Sequence, residues 1–319
     1  METPSRLLVK LSQRLFEEPG DRDQFLDHLL DPKPFHPCIL WRDEKPRPYP
    51  FELEPALPWQ PEFVDRLAIG QKPGQHSLHQ QGAFYCLDFS SVFAASPLLE
   101  IPSPVGVVAD VCASPGGKSI FTWVALHPTL LLSNEVIGKR TAQLIANLKR
   151  CRIQPAIALR LDSKILAQSI PQTAQVVLVD APCTGQSLLA KGGKAPGCFH
   201  PITINNNASR QKRILANSAQ LVAPQGYLLY MTCTYSPEEN EQVAEWFLAR
   251  FPQFQPVSVP YLAEYQSHLT TLACYRLFPQ QGIGAGAFTI LFHHTGVGTT
   301  PQISEEFLSR VGHFMPVPD

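Results

Sequence analysis

The eight cysteines of this chain, Cys38, Cys86, Cys112, Cys151, Cys183, Cys198, Cys233 and Cys274, include no Cys-x-x-Cys pair and no His-rich partner spacing. A zinc site and a disulfide framework are therefore disfavoured, and no metal is expected. There is no apolar run near twenty residues and no charged-apolar-small pattern from Met1 to Gly20. Neither a membrane span nor a secretory leader is expected, and the reading is a cytoplasmic protein. Two phosphate-binding signatures are also missing, the Gly-x-Gly-x-x-Gly dinucleotide fingerprint and the P-loop spacing. Charged residues are sparse at 17%, but 44% of the chain is hydrophobic, which excludes a disordered or fibrous chain.

Acids are absent from 181 to 237, where five bases stand: Lys191, Lys194, Arg210, Lys212 and Arg213. The net charge of -1 hides a basic middle, with 14 Lys/Arg against 6 Asp/Glu over residues 71–230. Such a strip is either a solvated helix face or a phosphate-binding surface.

The 31 prolines crowd the stretch before residue 75. A loop-rich region of 1–80 with a short helix near Ser5 to Phe16 is expected there, a small N-terminal α+β accessory domain. Its Trp41, Tyr49 and Trp59 fit a local core better than base stacking. The rest, 81–319, reads as one α/β domain. Strands are expected at Val105 to Val111, Leu130 to Glu135, Ala156 to Leu161, Val176 to Val179 and Gly226 to Thr232, with helices between them and a last strand at Gly286 to Phe292. One helix is expected from about Asn206 to Leu221. Another is expected over Pro237 to Arg250, with Ser236 and Glu239 as a capping box. Repeated βα units require a parallel, doubly wound sheet.

Candidate chemistry collects at the strand ends. Val176 to Val179 runs into Asp180-Ala181-Pro182-Cys183, and the next strand into Thr232-Cys233-Thr234. An Asp there is equally a turn former, and a lone Cys equally a small apolar residue, but two cysteines on two strand ends suggest one shared site. The loop Cys112-Ala113-Ser114-Pro115-Gly116-Gly117-Lys118 joins a strand to a helix, with glycines that allow close approach of a ligand. Glu135 ends the second strand, where an acid accepts ribose hydroxyls, and Asp162 ends the third, within reach of an adenine amino group. Acids at successive strand ends fit a nucleoside-like cofactor without a long phosphate chain.

The segments DVCASPGGKS, NEVIGKR, DAPCTG and MTCTYSPEENE, in this order, resemble the S-adenosylmethionine-dependent RNA cytosine-5 methyltransferases of the RsmB/NSUN (NOL1/NOP2/Sun) type. The resemblance covers about residues 82 to 292. It implies a class I methyltransferase (Rossmann-like) sheet with a reversed last strand and S-adenosyl-L-methionine as cofactor. By position, residues 112–118 would cradle the methionine end, Glu135 would hold the ribose, Asp162 the adenine, and Asp180 would face cofactor and base. Cys233 would be the nucleophile and Cys183 would assist product release, with Lys118 counted beside these two and Asp180 among the catalytic residues. The partner implied is RNA, ribosomal or transfer, bound by a monomer. Leu87 stands where the family usually has Gln, and the Gln186 to Gly193 stretch departs from the family's Arg-rich continuation. No C-terminal RNA-binding extension is expected, so target choice would fall to residues 1–80 and the basic middle.

Two other readings stay open. A DNA cytosine-5 methyltransferase would use Cys183 as nucleophile, but it would leave Cys233 unexplained and needs a Glu-Asn-Val motif that is not seen. A non-catalytic RNA-binding or assembly protein on the same fold would normally lack one of Asp180, Cys183 or Cys233, and all are present.

Overall fold

Strands buried on both faces read as continuous apolar runs, and the central strands of this protein are of that kind. The computed structural model describes residues 3–311 and 313–314. Helix α1 (Arg6–Leu15), capped by Ser5, is followed by α2 (Pro19–Leu30), strands β1 (Cys38–Trp41) and β2 (Val64–Arg66), helix α3 (Ser77–Gln80), strand β3 (Phe84–Cys86) and helix α4 (Phe89–Ala95). Regular alternation then begins with β4 (Val107–Asp110), α5 (Gly117–Leu126), β5 (Leu130–Asn134), α6 (Gly138–Arg150), β6 (Ala156–Leu159), α7 (Ser163–Ser169) and β7 (Ala174–Asp180). It continues through α8 (Pro201–Ala219), β8 (Val222–Thr232), α9 (Glu241–Arg250), β9 (Phe254–Pro256), β10 (Tyr275–Leu277), β11 (Ala287–His294), α10 (Glu305–Val311) and β12 (His313–Phe314).

The main sheet has the order β10-β11-β8-β7-β4-β5-β6-β12, with β9 paired to β11. Strands β4 to β8 pair in parallel, while β11 runs antiparallel to β8, which gives the expected reversed last strand. Side chains alternate between two cores with the strand period of two. Val108, Val176, Leu178, Leu229 and Met231 enter one; Ala109, Val177, Val179, Leu228 and Tyr230 enter the other. This is the doubly wound arrangement of a class I methyltransferase.

The N-terminal strands form a small antiparallel sheet, β2-β1-β3. Its third strand lies at 84–86, past residue 80, and Leu40, Trp59 and Val64 share a core with Phe89, Phe93 and Ile120. Trp41 is buried with its indole N–H donated to Asp65, as expected of a core aromatic. Helices α1 and α2 pack instead on Tyr235, Phe278 and Ala285, beside the loop that carries Cys233.

Two helix starts differ from the sequence reading. Helix α8 begins at Pro201, five residues before Asn206, because His200 caps the Ile202 N–H and Pro201 takes the first helical position. Helix α9 begins at Glu241, and residues 237–240 form a turn ahead of it. The expected capping box does not form. Glu239 is wholly buried and points its carboxylate at the Thr184 N–H and hydroxyl, a tertiary partner that outcompetes the local backbone. Among the described residues no helix is long and apolar enough to cross a membrane.

Candidate active site

In-register pairing of β7 with β8 puts Asp180 opposite Met231, so the loops that leave both strands emerge side by side. Cys183 and Cys233 consequently meet with their sulfurs 3.2 Å apart. Both thiols are free, Cys233 exposed and Cys183 half-buried. The hydrogen bond from Cys183 holds Cys233 below the ordinary thiol range; burial and Asp180 oppose this, while Lys118 and Ser187 support it. The same contact, with burial behind it, pushes Cys183 well above that range. One sulfur is therefore favoured as thiolate and the other as thiol donor.

Lys118 donates to Asp180 Oδ2 at 2.7 Å and lies 3.4 Å from the Ser91 hydroxyl. Burial alone would lower the ammonium's pKa, but Asp180, with Cys233 and Asp110, outweighs it and the net shift is upward. The pair keeps Asp180 beside the thiols in a fixed orientation.

A cavity of about 320 Å³ opens at the ends of β4 to β7 and is lined by Cys112, Glu135, Asp162, Asp180, Cys183 and Cys233, among others. The structure thus brings together six of the residues singled out from sequence. Glu135 and Asp162 serve local structure as well. Glu135 Oε1 accepts from Ile137 N at 2.9 Å, and Asp162 caps α7 through Lys164 N. Ala113, Ser114, Pro115, Gly117 and Lys118 line a second, smaller cavity of about 200 Å³, which reaches the first through Asp180. Gly116, with φ of 111°, lines neither; it turns the chain into α5 and packs on Leu144 of α6. At Gly117 a Cβ would stand 2.6 Å from Leu87 Cδ1, so this glycine admits the Leu87 and Tyr85 side chains.

The sequence model of the 16S rRNA methyltransferase RsmB/F family matches residues 98–293, the stretch that holds all of these strand ends. The chain belongs to that family. Among RsmB/F relatives, ribosomal RNA small subunit methyltransferase F of Cronobacter sakazakii is 32% identical over 212 residues, 65% of this chain and 44% of that one. The Pectobacterium atrosepticum protein of the same name is 28% identical over 257 residues, 78% of this chain and 53% of that one. The chain spans about half the length of the curated relatives it matches. Two solved structures share the fold. A methyltransferase homolog protein from Pyrococcus horikoshii aligns at TM-score 0.73 and 22% identity, over 91% of this chain and 95% of that one. NSun6 from Pyrococcus horikoshii aligns at 0.69 and 16%, over 92% and 99%.

In this RsmB/F chain the five bases do not form one strip. Lys191 is tied to Asp88 at 2.5 Å, and Lys212 lies 5.7 Å from the Trp246 ring centre. Arg210 and Arg213, three apart on α8 and both exposed, line the larger cavity. Lys194 is exposed in the loop before α8.

Sequence reasoning missed the residues that hold the cysteine loops. Gln186 donates to Cys198 O and Ser236 Oγ, and its oxygen accepts from Tyr235 N and Ser236 N. Arg276 makes a buried ion pair with Glu241 and donates to Tyr235 O at 3.0 Å.

Proposed function

We propose that this protein transfers a methyl group from S-adenosyl-L-methionine to carbon 5 of a cytosine in RNA. Small-subunit ribosomal RNA is the substrate favoured, because the relatives named above are ribosomal RNA small subunit methyltransferases. The observation that carries the reading is the contact of two free cysteines beside a Lys-held carboxylate at a cavity edged with acids.

The cavity suits the cofactor by its donor set. Glu135 would accept ribose hydroxyls, Asp162 would meet the adenine amino group, and the 112–118 turn would hold the methionine end. When bound, the cofactor supplies an electrophilic methyl group on a sulfonium sulfur. Carbon 5 of cytosine is not nucleophilic, so the Cys233 thiolate adds to carbon 6 and makes carbon 5 an enamine carbon. Asp180, oriented by Lys118, accepts from the exocyclic amine and from N3 in its protonated form, and so stabilises the protonated ring as negative charge develops. After transfer the carbon-5 proton leaves to a base, the carbon 5–carbon 6 double bond re-forms, and the bond to Cys233 sulfur breaks. Cys183, the thiol in contact with Cys233, assists that release. Arg210 and Arg213 at the cavity rim meet backbone phosphate, with residues 1–80 as an accessory domain contributing to RNA contact.

The decisive experiment runs Cys233→Ala and Cys183→Ala on denaturing gels with cofactor and labelled RNA. Cys233→Ala should give neither methylation nor adduct while still binding cofactor. Cys183→Ala should accumulate a denaturant-resistant protein–RNA complex. An adduct from Cys233→Ala and none from Cys183→Ala would move the nucleophile to Cys183, as in the DNA-type mechanism. Failure to bind S-adenosylmethionine would support a non-catalytic RNA-binding module.

A further inference from the structure

Glu239 lies between the two cysteine loops, and its carboxylate is bonded to the residue that follows each cysteine and to Gln211 of α8. Its Oε1 accepts from Thr184 N at 2.9 Å and from Gln211 Nε2 at 2.9 Å; its Oε2 accepts from the Thr184 hydroxyl at 2.6 Å. The Thr184 and Thr234 hydroxyls are 2.7 Å apart. A hydroxyl has one proton, so the short bond to Glu239 fixes the direction of the chain: Thr234 donates to Thr184, and Thr184 donates to the carboxylate. The longer Thr234 to Glu239 approach, 3.4 Å, is the subordinate alternative. Thr184 follows Cys183 and Thr234 follows Cys233.

The next residue completes the frame. Asn240 accepts from the Thr232 hydroxyl at 2.5 Å and donates to Thr234 O at 2.9 Å, so it straddles Cys233. Gln211, besides its bond to Glu239, donates to Pro182 O at 3.0 Å on the other loop. Glu239 is wholly buried, and burial pushes its carboxyl up from the ordinary range against the pull of Thr184, Gln211 and Thr234. A buried acid with this many donors converging on it is specified by its partners rather than by solubility.

We propose that Glu239 is a positioning residue of the methyl-transfer site, which ties Thr184 to Thr234 and thereby holds the Cys183 and Cys233 sulfurs in contact. The proposal rests on the assignment of Cys233 as nucleophile. Its consequence is that Cys233 keeps the Cys183 thiol at 3.2 Å, a contact that favours the Cys233 thiolate. Other charges that act on Cys233 are Lys118 and Asp180, which stay in place when Glu239 is changed.

The test needs no RNA. Alkylation of Cys233 by iodoacetamide is followed against pH by peptide mass spectrometry in the full-length protein, in Glu239→Ala, Thr184→Val, Cys183→Ala and the Glu239→Ala/Cys183→Ala double variant. Glu239→Ala should slow alkylation at pH 7 about tenfold, the loss of thiolate that a rise of one pH unit in midpoint brings. Removing a negative charge would by itself lower the midpoint, so an upward shift reports lost positioning. Cys183→Ala should produce the same shift, and the double variant no more than either single one. Thr184→Val keeps the residue's shape and should shift the profile in the same direction if Glu239→Ala folds poorly. An unchanged profile in Thr184→Val and Glu239→Ala, or additive shifts in the double variant, would overturn the clamp. A wild-type Cys233 that titrates as an ordinary thiol would overturn the nucleophile assignment beneath it.

Discussion

The two ends of the candidate active site are built on opposite plans. At the cysteine end Glu239, Asn240, Gln186 and Gln211 are all wholly buried, and their side chains cross-link the two loops. At the far end Glu135 and Asp162 each accept from a local backbone N–H and line an open cavity, Glu135 also facing Arg140 at 3.4 Å, and the rim carries the exposed Arg210 and Arg213. The proposed covalent chemistry would need reacting groups held within fractions of an ångström, whereas the proposed cofactor and RNA would have to enter and leave. Buried cross-links are concentrated at the cysteines, and exposed charge at the cavity rim.

Breaking the rigid end should have the largest effect on the fold. Arg276→Met leaves the Glu241 carboxylate buried beside Ser267 without its counter-ion and removes the donor to Tyr235 O. Loss of one member of a buried ion pair costs about 3–5 kcal/mol, which should appear as a lowered urea midpoint. Replacing Glu241 by Met as well should recover part of the loss, because no buried charge is then uncompensated. A single variant as stable as wild type would show that the cysteine end does not depend on its buried ionic support.

At the open end the expected change is in binding. Glu135→Ala should weaken S-adenosylmethionine by about 1.5–3 kcal/mol for each charge-assisted bond lost, at least tenfold in dissociation constant. Stability should change less than in Arg276→Met. Calorimetric titration that returned an affinity within twofold of wild type would take Glu135 out of the cofactor site.

The smallest and most condition-dependent effect belongs to the rim. Replacing Arg210 and Arg213 together by Ala should flatten the log-log salt dependence of single-stranded RNA affinity by about 0.7 per lost phosphate contact. Lys212→Ala, whose ammonium lies over Trp246, should leave the slope unchanged. Equal slopes in all three proteins would return the arginines to a merely solvated face.

Much of the sheet was legible in the sequence because strand runs and βα alternation are local patterns. The start of α9 was misplaced because Glu239 had two sets of partners to choose from. Ser236-x-x-Glu239 satisfies the spacing of a capping box, but nothing local records that the Thr184 N–H and hydroxyl, fifty-five positions back, offer Glu239 a buried pair of donors. The five bases read as one run because charge is counted along the chain. Their separation depends on Asp88 and Trp246, which are remote in sequence.

The sequence by itself determined the repeated βα units and the residue types at each strand end, since hydrophobic period is carried by neighbouring residues, while the class I sheet with its reversed last strand was implied by the family resemblance of the motifs. Only the tertiary structure decided that Cys183 and Cys233 touch. Their contact requires β7 and β8 to be parallel neighbours in register, with Asp180 level with Met231, and the two loops beyond them to be pinned by Glu239. Distance between residues fifty positions apart is a property of packing, because only the folded sheet brings their strand ends together.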